Sequence, residues 1–145
     1  MTETRKYLDF EIVKEPWNKY SLRDGSKLKT RIMIKSTWTF EKDGKKNYSV
    51  DMHYFTVMMC DPSLQGIKNQ TKWTQEQIQK NIEVENSQYD TISYEANEYI
   101  LDDTTRILIH SNITKISRTK LYTKNGDRVY VVDVQASITI TPPKL

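Results

Sequence analysis

The chain has 145 residues, with 22 Lys and Arg against 19 Asp and Glu for a formal net charge of +3, and 37% of it is hydrophobic. That suffices for one domain over residues 1–145 with a single core and is too apolar for long-range disorder, while the charge excess falls short of the usual footprint of a nucleic-acid domain. No stretch approaches the roughly 18 apolar residues of a membrane helix, the N-terminus carries no run of signal-peptide type, and Cys60 is the only cysteine. The reading is a soluble, cytoplasmic protein with no membrane partner, no internal disulfide and no multi-cysteine zinc site. The glycosylation-like triplets at Asn47, Asn69 and Asn112 carry no weight without secretion.

In chain order, Leu8 to Val13 alternates apolar and charged residues and reads as a strand that Pro16 ends. From Leu28 to Phe40, Leu28, Ile32, Ile34, Trp38 and Phe40 are expected on one face and Lys29, Arg31 and Lys35 on the other. Asp43-Gly44 is a dipeptide suited to a type I′ hairpin turn, after which Tyr48, Val50, Met52, Tyr54, Thr56 and Met58 share a face. "YFTVMM" before Cys60 is apolar on both faces, so a buried and inert thiol is expected. "CDPSLQG" reads as a connector.

Thr74 and Gln77 form a capping box, with Trp73 and Ile78 as a hydrophobic staple, which predicts a helix over about 75–82. A strand follows around Tyr89 to Tyr94. Asn125-Gly126 then predicts a second two-residue turn, after which Tyr130, Val132, Val134, Ala136, Ile138 and Ile140 share a face; "TPPKL" stops this last strand.

The two hairpins resemble each other. "KDGKKNYSVD" at Lys42 to Asp51 matches "KNGDRVYVVD" at Lys124 to Asp133, and "NKYSLRDGSKL" from Asn18 matches "NEYILDDTTRI" from Asn97. The offset changes from 79 to 82, which places a three-residue insertion in the second copy, opposite Thr30 to Ile34 of the first. The reading is a mainly β fold, an internally duplicated hairpin unit (residues 7–60 and 86–141, with a connector and short helix over 61–85). It closes as a β-sandwich or small barrel about a pseudo-two-fold axis.

Chemistry is sparse. The two histidines, His53 and His110, do not fall at equivalent positions, and no metal-ligand spacing, nucleophile–base motif or glycine-rich phosphate loop is present. Catalytic residues, metal ligands and cofactors are therefore expected to be absent. Asp51 and Asp133 recur at the same place in the repeat, most simply as surface carboxylates paired with lysines.

Charge is uneven. Residues 14–46 hold ten basic and four acidic residues (+6), residues 76–103 one and eight (−7), and residues 104–145 seven and two (+5). Two binding functions fit without catalysis. The first is a module acting through protein–protein contacts, with a protein partner or a second copy of the chain. The alternative is a small β-fold that binds single-stranded nucleic acid along a basic stripe of Lys27, Lys29, Arg31 and Lys35.

Overall fold

A computed structural model describes residues 4–143. The fold is mainly β, with two five-stranded antiparallel sheets. The first sheet centres on β4 (Lys27–Lys42), which pairs along its whole length with β5 (Lys45–Met59). On its other side β4 pairs first with β3 (Asn18–Leu22) and then with β1 (Lys6–Leu8), and β3 carries β7 (Tyr89–Ser93). The second sheet centres on β9 (Arg106–Tyr122), which pairs throughout with β10 (Arg128–Thr141). Its other side takes β8 (Asn97–Leu101) and β6 (Ile82–Val84), and β8 carries β2 (Phe10–Lys14). The order of pairings is the same in both sheets. They pack face to face as a sandwich around two clusters, one about Ile32, Ile34, Tyr99, Leu101, Ile107 and Ile109, the other about Tyr20, Leu22, Leu28 and Ile116.

The strand expected over Leu8 to Val13 is two strands in different sheets. The chain crosses between sheets at Asp9, whose carboxylate accepts from the Phe10 amide at 2.9 Å while its carbonyl accepts from the Asp102 amide at 3.0 Å. The connector makes one 3-10 turn at Pro62–Leu64 and then α1 (Gln75–Lys80). Both bonds of the Thr74–Gln77 capping box are present, and the helix stops before Ile82 because that residue starts β6.

Asp43 (φ 54) and Gly44 (φ 74) form the expected two-residue turn. The second hairpin does not use one. Thr123 donates to the Asp127 carbonyl and Gly126 to that of Thr123, and of these loop residues only Gly126 has positive φ. Thr39 pairs with Tyr48, nine residues on, whereas Arg118 pairs with Tyr130, twelve on; the three extra residues therefore lie at this hairpin end rather than opposite Thr30 to Ile34. What occupies the middle of both long strands is a β-bulge, at Lys35 in β4 and Thr114 in β9. The bulge reverses the inside–outside alternation, so Thr37 and Thr39 are buried while Trp38 and Phe40, expected on the Leu28 face, turn outward.

Each sheet is tied to the turn of the other by a tyrosine. Tyr48 on β5 donates to Asp103 at 2.7 Å and lies 3.0 Å from the Thr105 hydroxyl; Tyr130 on β10 donates to Asp24 at 2.6 Å and lies 3.0 Å from the Ser26 hydroxyl. Asp103 accepts from the Thr105 amide and Asp24 from that of Ser26, so each carboxylate both shapes its own turn and anchors the facing sheet. Lys46 and Arg118 supply the cations, at 3.3 and 3.0 Å. Burial would raise both carboxyls, but the hydroxyl and amide donors and these cations outweigh it, holding Asp103 down to about 2 and Asp24 below its ordinary 3.8.

Two outcomes are expected. Tyr48→Phe and Tyr130→Phe each remove a hydrogen bond to a charged group and lower stability in urea unfolding by about 1.5–3 kcal/mol, additively because the sites are apart. Because both carboxyl pKa values are depressed by folding, their contribution is complete above the ordinary 3.8 and is lost as pH falls towards about 2. The urea midpoint should drop over that interval, and less so in Asp103→Asn; an unchanged slope in that variant would refute the assignment.

Candidate functional interface

The outward side chains of β4 and β5 lie opposite one another in register. Lys27 faces Met59, Lys29 faces Val57, Arg31 faces Phe55 and Met33 faces His53. Side chains so placed on an antiparallel pair stand about 5 Å apart at Cβ, so a row of cations runs beside a row of apolar and aromatic groups. β3 adds Lys19 beside Lys29. Trp17 stacks beneath both cations of this middle level, 4.6 Å from the Lys29 ammonium and 5.6 Å from the Arg31 guanidinium to the ring centroid. Beyond the bulge, Trp38 and Tyr7 pair edge-on, with Arg5 4.6 Å above the Trp38 ring.

The apolar row is uncovered. Phe55 is 42% exposed, Val57 38% and Met59 48%, and Tyr54 on the opposite face of β5 is 45% exposed. The stretch that is apolar on both faces is thus exposed on both, except at Met58, and Cys60 after it is half-buried rather than buried. Its apolar residues belong to an edge strand, not a central one, and only Met58 packs on the core, beside Leu28.

β5 and β10 are also the two long edges of the sandwich, each hydrogen-bonded to one neighbouring strand only among the described residues. They converge on an open groove of about 610 Å³ lined by Tyr54 and Thr56 of β5, Thr114 of β9 and Val132 to Gln135 of β10.

Of the stripe residues, Lys27, Lys29 and Arg31 share the outer face as expected, while Lys35 sits on the bulge. Arg31 is held by Glu15 at 3.2 Å, and Lys35 lies 4.0 Å from Asp51. Among the described residues Lys19, Lys27 and Lys29 enter no ion pair. Asp51 and Asp133 are not brought together: Asp51 faces Ser36 across the first sheet, and Asp133 faces Lys115 and lines the groove. His53 and His110 stand on the outer faces of opposite sheets, and Cys60, half-buried beyond the end of β5, donates to the Asp61 carbonyl. Sequence reasoning missed Trp17, His53, Phe55, Val57 and Met59 as one surface, although the cation spacing along one strand pointed to its position. Among the described residues no group of three or more His, Cys, Asp or Glu is placed to hold a metal, and no helix is long and apolar enough to cross a membrane.

No protein-family model, curated protein or solved structure matches this chain.

The second sheet serves as an internal control. The places held by Phe55, Val57 and Met59 on β5 are held on β10 by Ser137, Thr139 and Thr141, opposite His110, Leu108 and Arg106. The same pairing thus forms without an apolar outer row. Replacing Phe55→Ser, Val57→Thr and Met59→Thr together should cost no more than about 1.5 kcal/mol, at about 0.5 kcal/mol per surface position. A loss of several kcal/mol in urea unfolding would make this row structural and remove it as an interface.

Proposed function

We propose that this chain is a non-catalytic binding and assembly module acting through protein–protein contacts, with a second copy of itself as the partner. One observation carries the reading: β5 and β10 present 15 and 14 residues of strand edge with no partner strand among the described residues. Natural sheets usually protect such edges with Pro, bulges, inward charges or brevity. Here both bulges are on the inner neighbours β4 and β9, neither edge strand contains Pro, and the inward faces from Tyr48 to Met58 and from Tyr130 to Ile140 carry no charge. The edges β7 and β2, by contrast, are five residues each. β5 carries two Lys and one Asp, and β10 one Arg and one Asp, so two copies meet without strong like-charge opposition. Pairing between copies uses backbone groups alone and asks for no reactive side chain.

We also infer that residues 7–60 and 86–141 descend from one duplicated unit about a pseudo-two-fold axis, supported by the shared pairing order, bulges and tyrosine–aspartate ties. Superposing the backbones of β3 to β5 on β8 to β10 should carry Tyr48 onto Tyr130; a misfit there removes the inference.

The assembly reading predicts a defined oligomer in light scattering, with β5 and β10 amides protected from hydrogen exchange at high protein concentration and released on dilution. Tyr54→Lys with Val134→Lys at the groove should shift the mass towards monomer without loss of fold. A monomer at all concentrations would sink it.

A further inference from the structure

The outer face of the first sheet is a separate surface from the strand edges, and its chemistry is more specific. Along β4, Lys27, Lys29 and Arg31 repeat every second residue, about 6.6 Å apart at the usual strand rise, in a straight line. Lys19 widens the row at Lys29. One strand over and in register runs Met59, Val57, Phe55 and His53, with the His53 and Phe55 rings 6.0 Å apart and tilted by 37°. Trp17 lies against the cations on the other side. A ligand that satisfies both rows at once has a line of regularly spaced anions on one margin and flat apolar faces on the other.

We propose that this face binds single-stranded nucleic acid, with Lys19, Lys27 and Lys29 taking phosphates, Phe55 and His53 stacking with bases, and Trp17 supporting the cations from below. An acidic peptide would use the cations but does not carry a flat ring at every charged unit, as a nucleic acid does. Single strands are held in this way on open β surfaces: a cationic track follows the backbone and aromatic side chains take successive bases without sequence preference. The second sheet again shows that the fold does not require the arrangement. Its places for Lys19, Lys29, Arg31 and Phe55 hold Glu98, Leu108, His110 and Ser137, and Glu98 is itself paired with Arg106 at 3.4 Å. The second face keeps one cation of the row, Arg106 at the place of Lys27, and pairs it with Glu98, and it has hydroxyls at the places of Phe55, Val57 and Met59; Lys19, Lys27 and Lys29 on the first face enter no ion pair among the described residues. The small net charge of +3 understates the local field, because of the acidic residues 76–103 only Asp90 on β7, in register with Ser21, belongs to this sheet.

The test is binding of the full chain to a labelled oligothymidylate across a salt series, beside an abasic oligomer of the same length and vesicles of an anionic phospholipid. Three phosphates neutralised on a single strand give a log–log salt slope of about −2. Lys19→Ala with Lys27→Ala and Lys29→Ala should flatten that slope. Phe55→Ser should weaken oligothymidylate binding about tenfold or more with the slope unchanged, the loss of one stacked base. The variant is chosen because its fold is expected to persist, as urea unfolding will verify. Equal affinity for the abasic oligomer, an unaltered affinity in Phe55→Ser, no binding at low salt, or preference for the vesicles would each overturn the proposal. A failure of oligomerisation leaves it standing, because β4 and β5 offer this face in one copy.

Discussion

The fold depends on a reciprocal exchange of two short strands. β2, from the N-terminal stretch, completes the sheet built on β9, and β7, from the middle of the chain, completes the sheet built on β4. Each exchanged strand brings an aromatic ring edge-on to a buried tyrosine: Phe10 to Tyr99 with centroids 5.6 Å apart, and Tyr89 to Tyr20 at 5.5 Å. A two-stranded hairpin is marginal in water because it buries one face at most, and the exchange solves this by giving each hairpin strands it cannot draw from its own neighbourhood. The exchanged pairings are few beside the β4–β5 and β9–β10 hairpins, but they join distant parts of the chain, so the two halves must order together.

The buried polar groups follow from the same constraint. Tyr99 is fully buried, and its hydroxyl donates to Glu15 at 2.8 Å while accepting from Asn97 at 2.9 Å. Burial, reinforced by the neighbouring carboxylate, pushes its phenol far above the ordinary range, so it stays a donor at any ordinary pH. Glu15 in turn holds Arg31, which stacks on Trp17, so one chain of contacts runs from the core to the cationic outer face. The position of Arg31 on that face is set from inside the protein. Lys27 enters no ion pair among the described residues, so nothing of that kind fixes its side chain.

Local signals were legible in the sequence where a few adjacent residues decide the outcome. The Asp43-Gly44 turn and the Thr74–Gln77 cap depend on backbone preference and near-neighbour hydrogen bonds, and both appear as read. The second turn was misjudged because Thr123, not the Asn-Gly pair, organises it by accepting from Asn125 and Asp127. The crossing at Asp9 was illegible for a different reason: its partner is Asp102, and no period within Leu8 to Val13 encodes which sheet receives each half. Bulges at Lys35 and Thr114 likewise leave the composition of a strand unchanged while reversing which residues face the core. The basic stripe was legible as spacing, but its apolar companion was hidden, because a run apolar on both sides reads identically whether it lies at the centre of a sheet or at its rim.

That ambiguity bears on how the edge and the face relate. β5 is at once the open edge of the first sheet and the strand that carries Phe55, Val57 and Met59. Were β5 to pair antiparallel with β5 of a second copy, the side-chain alternation would continue across the junction, because hydrogen-bonded strands share one pleat. The two apolar rows would then lie side by side at the centre of a wider sheet, with a cation row along each margin. The uncovered rings would be partly sheltered by the neighbouring copy, and the cations would be left outermost. Two tracks joined rigidly in this way hold one long ligand at two places, and the second contact forms at high effective concentration without any new residue. In such a pair the exposed apolar strand would have a physical rationale as a shared element, since the property that makes it a poor surface for a lone copy would make it the middle of a larger one.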